Sequence, residues 1–181
     1  LKRVIAYSSI NHVSYCLLAL FAVAGATSSN PAADIAALGG ALLQMFNHGL
    51  SASALFFCVG ILETRAGGRR GRDDFGGVRT AAPVFAGFCG IALFSSLGLP
   101  GLNGFVGEFL IFRGVFGHAP AVAAVGCLGL FATAYFLLTF WQRVFHGPAR
   151  GAGVGFGDLT VRELLTLLPA IVLMFVLGLW P

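Results

Sequence analysis

Apolar stretches separated by short polar or glycine-rich segments set the layout of this chain. Residues 4–25 and 35–62 are each long enough to cross a hydrocarbon layer, which takes about 20 residues of helix. In the first, Ser8, Asn11, His12 and Tyr15 fall at i, i+3, i+4 and i+7, one face of an otherwise apolar helix. The second repeats the device with Gln44, Asn47, His48 and Ser51. Residues 120–145 and 162–180 predict two further spans. One closes on Trp141, Gln142 and Arg143 at an interface, and the other ends near Trp180. Thr160-Val161-Arg162-Glu163 has the spacing of a capping box, and Pro169 predicts a kink.

The remaining apolar stretch is interrupted. Residues 81–97 run into Leu97-Gly98-Leu99-Pro100-Gly101-Leu102-Asn103-Gly104, and apolar sequence resumes over 104–117. Pro100 removes an amide donor and fixes φ, and the flanking glycines favour a turn, so helix is not expected to continue through 98–104. Backbone groups freed there must be buried in protein or line a wet cavity. Glu108 follows on the fifth residue of the restarted helix, and an ionisable group beside such a break points to function. The plainer reading is a tight turn between two short spans, with Glu108 paired to an arginine.

Basic residues choose between the two arrangements. Two separate spans would put eight of the eleven Lys and Arg residues on one side and three on the other. One broken span puts ten on one side and only Arg113 opposite, which fits the excess of positive charge in cytoplasmic loops. One discontinuous helix is therefore expected. The Lys2 end is then cytoplasmic and the Pro181 end periplasmic, in a bacterial inner membrane.

Composition agrees. The chain is 57% hydrophobic and only 10% charged, with mean hydropathy +0.89, against about 25% charged in soluble domains. The expected fold class is an all-α polytopic membrane protein with about five transmembrane elements, one of them discontinuous (81–97 / 104–117), forming a single transmembrane domain over 1–181. The net charge of +4 reflects loop placement and not nucleic-acid binding. Asp74-Phe75-Gly76 in the arginine-rich loop lacks every companion motif of a kinase, and the glycine-rich 147–157 follows no strand that would make it a phosphate loop. Cys16, Cys58, Cys89 and Cys127 lie singly in apolar segments and read as core residues. The chain opens on Leu1-Lys2-Arg3, with no initiator Met and no leader pattern, and so reads as a piece of a longer membrane protein.

Three titratable groups within spans, His12, His48 and Glu108, can each bind and release a proton. Neither a nucleophile–base pair, a metal-ligand cluster nor a cofactor fingerprint accompanies them. No metal, no cofactor and no direct NADH or quinone binding are therefore expected, and proton relay through these side chains is the chemistry left. The rival is structural: polar stripes that only hold helices together.

Four stretches carry a family resemblance: residues 1–12, Gln44-Met45-Phe46-Asn47-His48-Gly49-Leu50-Ser51, Asp74-Phe75-Gly76-Gly77, and Gly98 to Phe109. Together they resemble the antiporter-like membrane subunits of respiratory complex I, the NADH–quinone oxidoreductase. The glutamate at 108, where sister subunits typically carry lysine, is similar to the subunit M branch. The resemblance implies a fold of two inverted repeats, each with a broken helix, of which this chain supplies the second. It implies that His12 and His48 are central relay residues and that Glu108 is the charged group near proton exit. It also implies quinone reduction elsewhere in the complex, with other membrane subunits and the lipid bilayer as partners. A glutamate and two lysines of the first repeat would lie upstream of Leu1. Departures from the family pattern are Asn11 where serine is common, the added Arg113, and a lengthened 26–34 loop. Subunits of cation/proton antiporters or of membrane-bound hydrogenases are the related alternatives.

Overall fold

The computed structural model describes residues 1–181 other than Ser28, Arg70, Arg72, Ala152 and Val154. Arg70 and Arg72, two of the loop arginines counted above, thus lie outside the described residues. In chain order the elements are α1 (Lys2–Ala24), α2 (Pro31–Arg65), β1 (Phe75–Gly76), α3 (Val78–Ala81), α4 (Pro83–Ser96), α5 (Asn103–His118), α6 (Pro120–Phe145), β2 (Arg150–Gly151) and α7 (Val161–Leu179). Among the described residues four helices, α1, α2, α6 and α7, are long and apolar enough to cross a membrane, and α4 is a shorter apolar helix.

Helix α2 starts earlier than its apolar pattern suggests. Asn30 caps it, its side-chain oxygen accepting the amide hydrogen of Ala33 at 3.2 Å, and Pro31 occupies the first turn, where its missing N–H costs nothing. The capping box at α7 is complete, with the Thr160 hydroxyl accepting from the Glu163 amide and the Glu163 carboxylate accepting from the Thr160 amide. Pro169 lies inside α7, whose helical assignment runs through it unbroken.

The break between α4 and α5 has an identifiable chemistry. The Leu99 amide donates to the Phe94 carbonyl and the Gly98 amide to the Ser95 carbonyl, both at 3.1 Å, with Gly98 at φ +70. This is the Schellman ending that satisfies the last carbonyls of a helix. Gly101, at φ +93, then leads the chain into α5.

Contacts along α2 settle how the two halves lie. Ala33 meets Gly117, Ala37 meets Gly114, Gly40 meets Ile111, and Gln44 meets Gly107. The series continues through the break, with Asn47 on Asn103, Ser51 on Ser95, and Cys58 beside Cys89. The partner numbers fall steadily as those of α2 rise. Helices α4 and α5 therefore run in the same direction, end to end against one antiparallel neighbour. They form one discontinuous span, and a hairpin of two short spans is excluded.

The remaining contacts sort the loops into two ends. At one end Lys2 pairs with Glu63, Arg65 with Glu163, and Asp73 with Arg143, while β1 and β2 make a two-residue antiparallel ladder between loops 66–77 and 146–160. Asn30, Asp34, Gly117 and His118 gather at the other end. The main apolar core, built around Leu55, Phe85, Leu93, Leu137 and Phe140, joins α2, α4, α6 and α7; a smaller one joins α1, α2 and α5. Exposed apolar side chains such as Phe21, Leu42 and Phe131 face outward, where lipid or further protein would cover them.

Candidate functional site

The break lies opposite the middle of α2, and the polar stripes of α1 and α2 converge on it. Glu108 is 6% exposed, His12 and Gln44 each 2%, and Asn47 and Asn103 are fully enclosed. In a medium of low polarity an unpaired carboxylate would be costly, and Glu108 is not unpaired. Its Oε1 lies 2.8 Å from Nδ1 of His12 and accepts the Gln44 side-chain amide at 3.3 Å. Its Oε2 points at Gly98, where a Cβ would stand only 2.7 Å away. The glycine that permits the left-handed turn thus also makes room for the carboxylate.

One proton between His12 and Glu108 can sit on either partner. The pair is neutral with the proton on Glu108 and zwitterionic with it on His12, so a transfer within it changes no net charge. His48 extends the set. Its ring centroid is 4.9 Å from that of His12, the planes tilted by 32°, and it is half-buried where His12 is enclosed. The contact order is therefore His48, His12, Glu108, and not the order His12, His48, Glu108 that chain position suggests. The cause is packing: α2 and α5 lie directly against each other, and α1 lies against both, which seats the His12 ring beside His48 and Glu108.

Around this set a second network fastens the break. Asn47 donates to the backbone carbonyl of Asn103 at 2.7 Å, and Asn103 donates back to that of Asn47 at 3.1 Å. The Ser51 and Ser95 hydroxyls are 2.8 Å apart, and Ser95 also donates to the Asn103 side chain. Three buried polar atoms in this region have no protein partner: Nε2 of His12, Oε1 of Gln44 and Oδ1 of Asn47. Buried polar atoms left without a partner cost about 1–3 kcal/mol each, and they cluster where function requires them.

All three expected site residues meet, through the pairs His48–His12 and His12–Glu108. The plainer reading, an arginine partner for Glu108, is not what the structure shows: among the described residues Glu108 pairs with His12, and Arg113 is exposed on α5, where a five-residue spacing turns it off that face. Not all of the α1 stripe serves the carboxylate. Asn11 turns away and donates to the Tyr15 hydroxyl, the Gly129 carbonyl and the Thr133 hydroxyl, tying α1 to α6. Asn103 and Ser95 carried no sequence signal of their own beyond their place at the break. Cys16, Cys58 and Cys89 are buried free thiols, Cys127 is half-buried and free, and no group of three metal-ligating side chains occurs among the described residues.

The family described as NADH:quinone oxidoreductase/Mrp antiporter, transmembrane region, matches residues 1–134. The chain belongs to this family. NADH-quinone oxidoreductase subunit M of Mycobacterium tuberculosis is 36% identical over the whole chain, which spans 31% of that protein. The corresponding subunit of Rickettsia bellii is 35% identical, again over the whole chain and 35% of the relative. NADH-ubiquinone oxidoreductase chain 4 of Marchantia polymorpha is 34% identical over 34% of its length. The chain thus spans about a third of these NADH:quinone oxidoreductase/Mrp relatives.

Solved structures agree on the fold. A chain of the Mrp complex from Dietzia superposes with a TM-score of 0.69 at 19% identity, over 97% of this chain and 45% of that one. A chain of respiratory complex I from Thermus thermophilus does so at 0.59 and 22% identity, over 98% and 42%. The discontinuous helix and its polar lining therefore sit in an antiporter-like fold.

Proposed function

We propose that this chain is part of a proton-translocating, non-redox subunit of an NADH–quinone oxidoreductase. Protons pass from His48 to His12 to Glu108 at the helix break, driven by quinone reduction in other subunits. The carrying observation is the 2.8 Å contact between buried His12 and Glu108 beside partnerless polar atoms. A group that must take and release a proton needs a nearby exchange partner and an opening toward water, and this arrangement supplies the first and invites the second. Backbone amides and asparagines fix the break, so the carboxyl holds its place while its proton moves. Neighbouring membrane subunits and lipid cover the exposed apolar faces, and no cofactor is held by this chain.

The arginine-bearing loops lie at the Lys2 end, which supports a cytoplasmic Lys2 end and a periplasmic Pro181 end in a bacterial inner membrane. A subunit of a cation/proton antiporter is the second reading, favoured by the 0.69 superposition on the Mrp complex; the 34–36% identities favour the oxidoreductase. Glu108→Gln tests the relay. It keeps the shape and one acceptor oxygen, so the full-length subunit should assemble while NADH-driven proton uptake into inverted vesicles falls. Undiminished uptake in the assembled variant contradicts the relay, and failed assembly with normal uptake per assembled complex favours the structural role.

A further inference from the structure

A second titratable pair stands at the opposite end of the same helix. His118, the last residue of α5, has a side chain only 2% exposed, and its Nε2 lies 2.8 Å from Oδ1 of Asp34 in the first turn of α2, whose side chain is 36% exposed. The contact is at ion-pair distance but off the N–H axis, leaving Nε2 without an aligned hydrogen bond. The imidazole also lines a cleft of about 250 Å³ at this end of the bundle, with Leu18, Phe21, Gly25, Thr27 and Val122. At roughly 30 Å³ each, several waters fit there. His118 therefore stands between a half-exposed charge partner and a cleft large enough to admit water.

Its relation to Glu108 gives the pair a use. Ten residues of helix separate them, about 15 Å at 1.5 Å per residue. The α5 positions facing inward between them are Ile111 and Val115, packed with Tyr15, Cys16, Ala37 and Ala41 into a small apolar cluster. Two proton-holding pairs are thus divided by one dry layer, the arrangement in which wetting and drying of an apolar constriction gates conduction. Facing His118, α2 presents Asp34 and the Asn30 amide, whereas α1 and α6 present no titratable group around the cleft among the described residues. On α5 itself Arg113 is exposed and five residues away. Asp34 lies in the first turn of α2 and His118 in the last turn of α5.

We propose that His118 and Asp34 form the release site of the relay, on the side of the membrane opposite the arginine-bearing loops. The inference rests on the relay reading of Glu108. When the Ile111–Val115 layer wets, the O–H bond at Glu108 breaks and the proton passes through water to Nε2 of His118, forming an N–H bond. That bond then breaks as the proton passes to Oδ1 of Asp34, forming an O–H bond, and from this half-exposed carboxyl to water, while Glu108 is reloaded from His12.

The experiment uses the full-length subunit in its assembled complex, comparing native protein, Glu108→Gln and the double variant His118→Gln/Asp34→Asn in inverted vesicles. Gln and Asn retain an amide–amide hydrogen bond between α2 and α5 but cannot carry the proton. Expected is normal assembly on native gels, with NADH-driven uptake reduced by the same fraction as in Glu108→Gln. If Glu108→Gln lowers uptake and the double variant does not, the release site is overturned and the relay stands. If neither lowers it, the relay itself is wrong. If the double variant loses assembly while each assembled complex pumps normally, the pair is a helix staple and the proposal is overturned.

Discussion

Gly98 and Glu108, ten residues apart, meet across the helix break: a Cβ on Gly98 would stand 2.7 Å from Oε2 of the carboxylate. Gly98 also holds φ at +70, a conformation that costs other residues about 1–3 kcal/mol. Gly98→Ala therefore combines backbone strain with displacement of the carboxyl from His12. The expected outcome is a lower yield of assembled complex and, in what assembles, uptake reduced toward the level of Glu108→Gln. Quantitative native gels and vesicle uptake read the two effects separately. Native uptake in Gly98→Ala would show that the carboxyl does not depend on this close approach.

The reciprocal bonds between Asn47 and Asn103 predict a different result. Removing either side chain takes one interhelical hydrogen bond from a buried backbone carbonyl, at a cost of about 1 kcal/mol within a membrane bundle. Asn47→Ala and Asn103→Ala should each lower the thermal inactivation temperature of the complex in detergent by a few degrees. Substitution of Ser53, whose exposed hydroxyl bonds only the Gly49 carbonyl of its own helix, should not.

Asn11 separates holding from relaying. It ties α1 to α6 and does not touch Glu108. Asn11→Ser shortens the side chain out of reach of Gly129 and Thr133. It should lower stability by about 1 kcal/mol while leaving uptake per assembled complex unchanged. A selective loss of uptake would place Asn11 within the relay.

Asp158 makes a pH prediction outside the membrane. From the loop before α7 its carboxylate accepts the amide hydrogens of Val84 at 3.0 Å, Phe85 at 2.8 Å and Leu159 at 2.8 Å, capping α4 across 73 residues of sequence. Burial pushes its ionisation upward, but these amides and the nearby Arg65 outweigh it and hold the carboxyl below its ordinary value. A depressed value in the folded state means the cap contributes fully above the unfolded value of about 3.9, and fades as pH falls through the lower folded value. Asp158→Ala should cost about 0.5–2 kcal/mol at pH 7, the usual worth of such a cap, and much less near pH 3. Thermal inactivation at the two pH values measures the difference. An equal cost at both would remove the ionised cap from the account.

The break, the polar faces and the single discontinuous span could be read from residues alone, because each follows from local chemistry. Pro100 with its glycines stops a helix, i, i+3, i+4 spacing makes a face, and arginines sort the loops. What escaped the sequence depends on docking between distant segments. Asp158 as the cap of α4, Asn103 as the partner of Asn47, and His12 rather than His48 against Glu108 are all fixed by how α1 and α4–α5 settle on α2. No periodicity carries that register. The α1 stripe shows the limit most plainly: its four polar residues share one face, yet His12 serves the carboxylate and Asn11 serves α6. Residue spacing predicted the face but not how it divides.

Whether Glu108 exchanges a proton with His12 can be read most directly by infrared difference spectroscopy of the assembled complex, following the carbonyl stretch of protonated carboxyl groups as pH is changed. A titrating band is expected in the native complex that is absent from Glu108→Gln and displaced in His12→Gln, where the hydrogen-bond partner differs. Native and Glu108→Gln spectra that superimpose, or a band that His12→Gln leaves unmoved, would contradict the exchange.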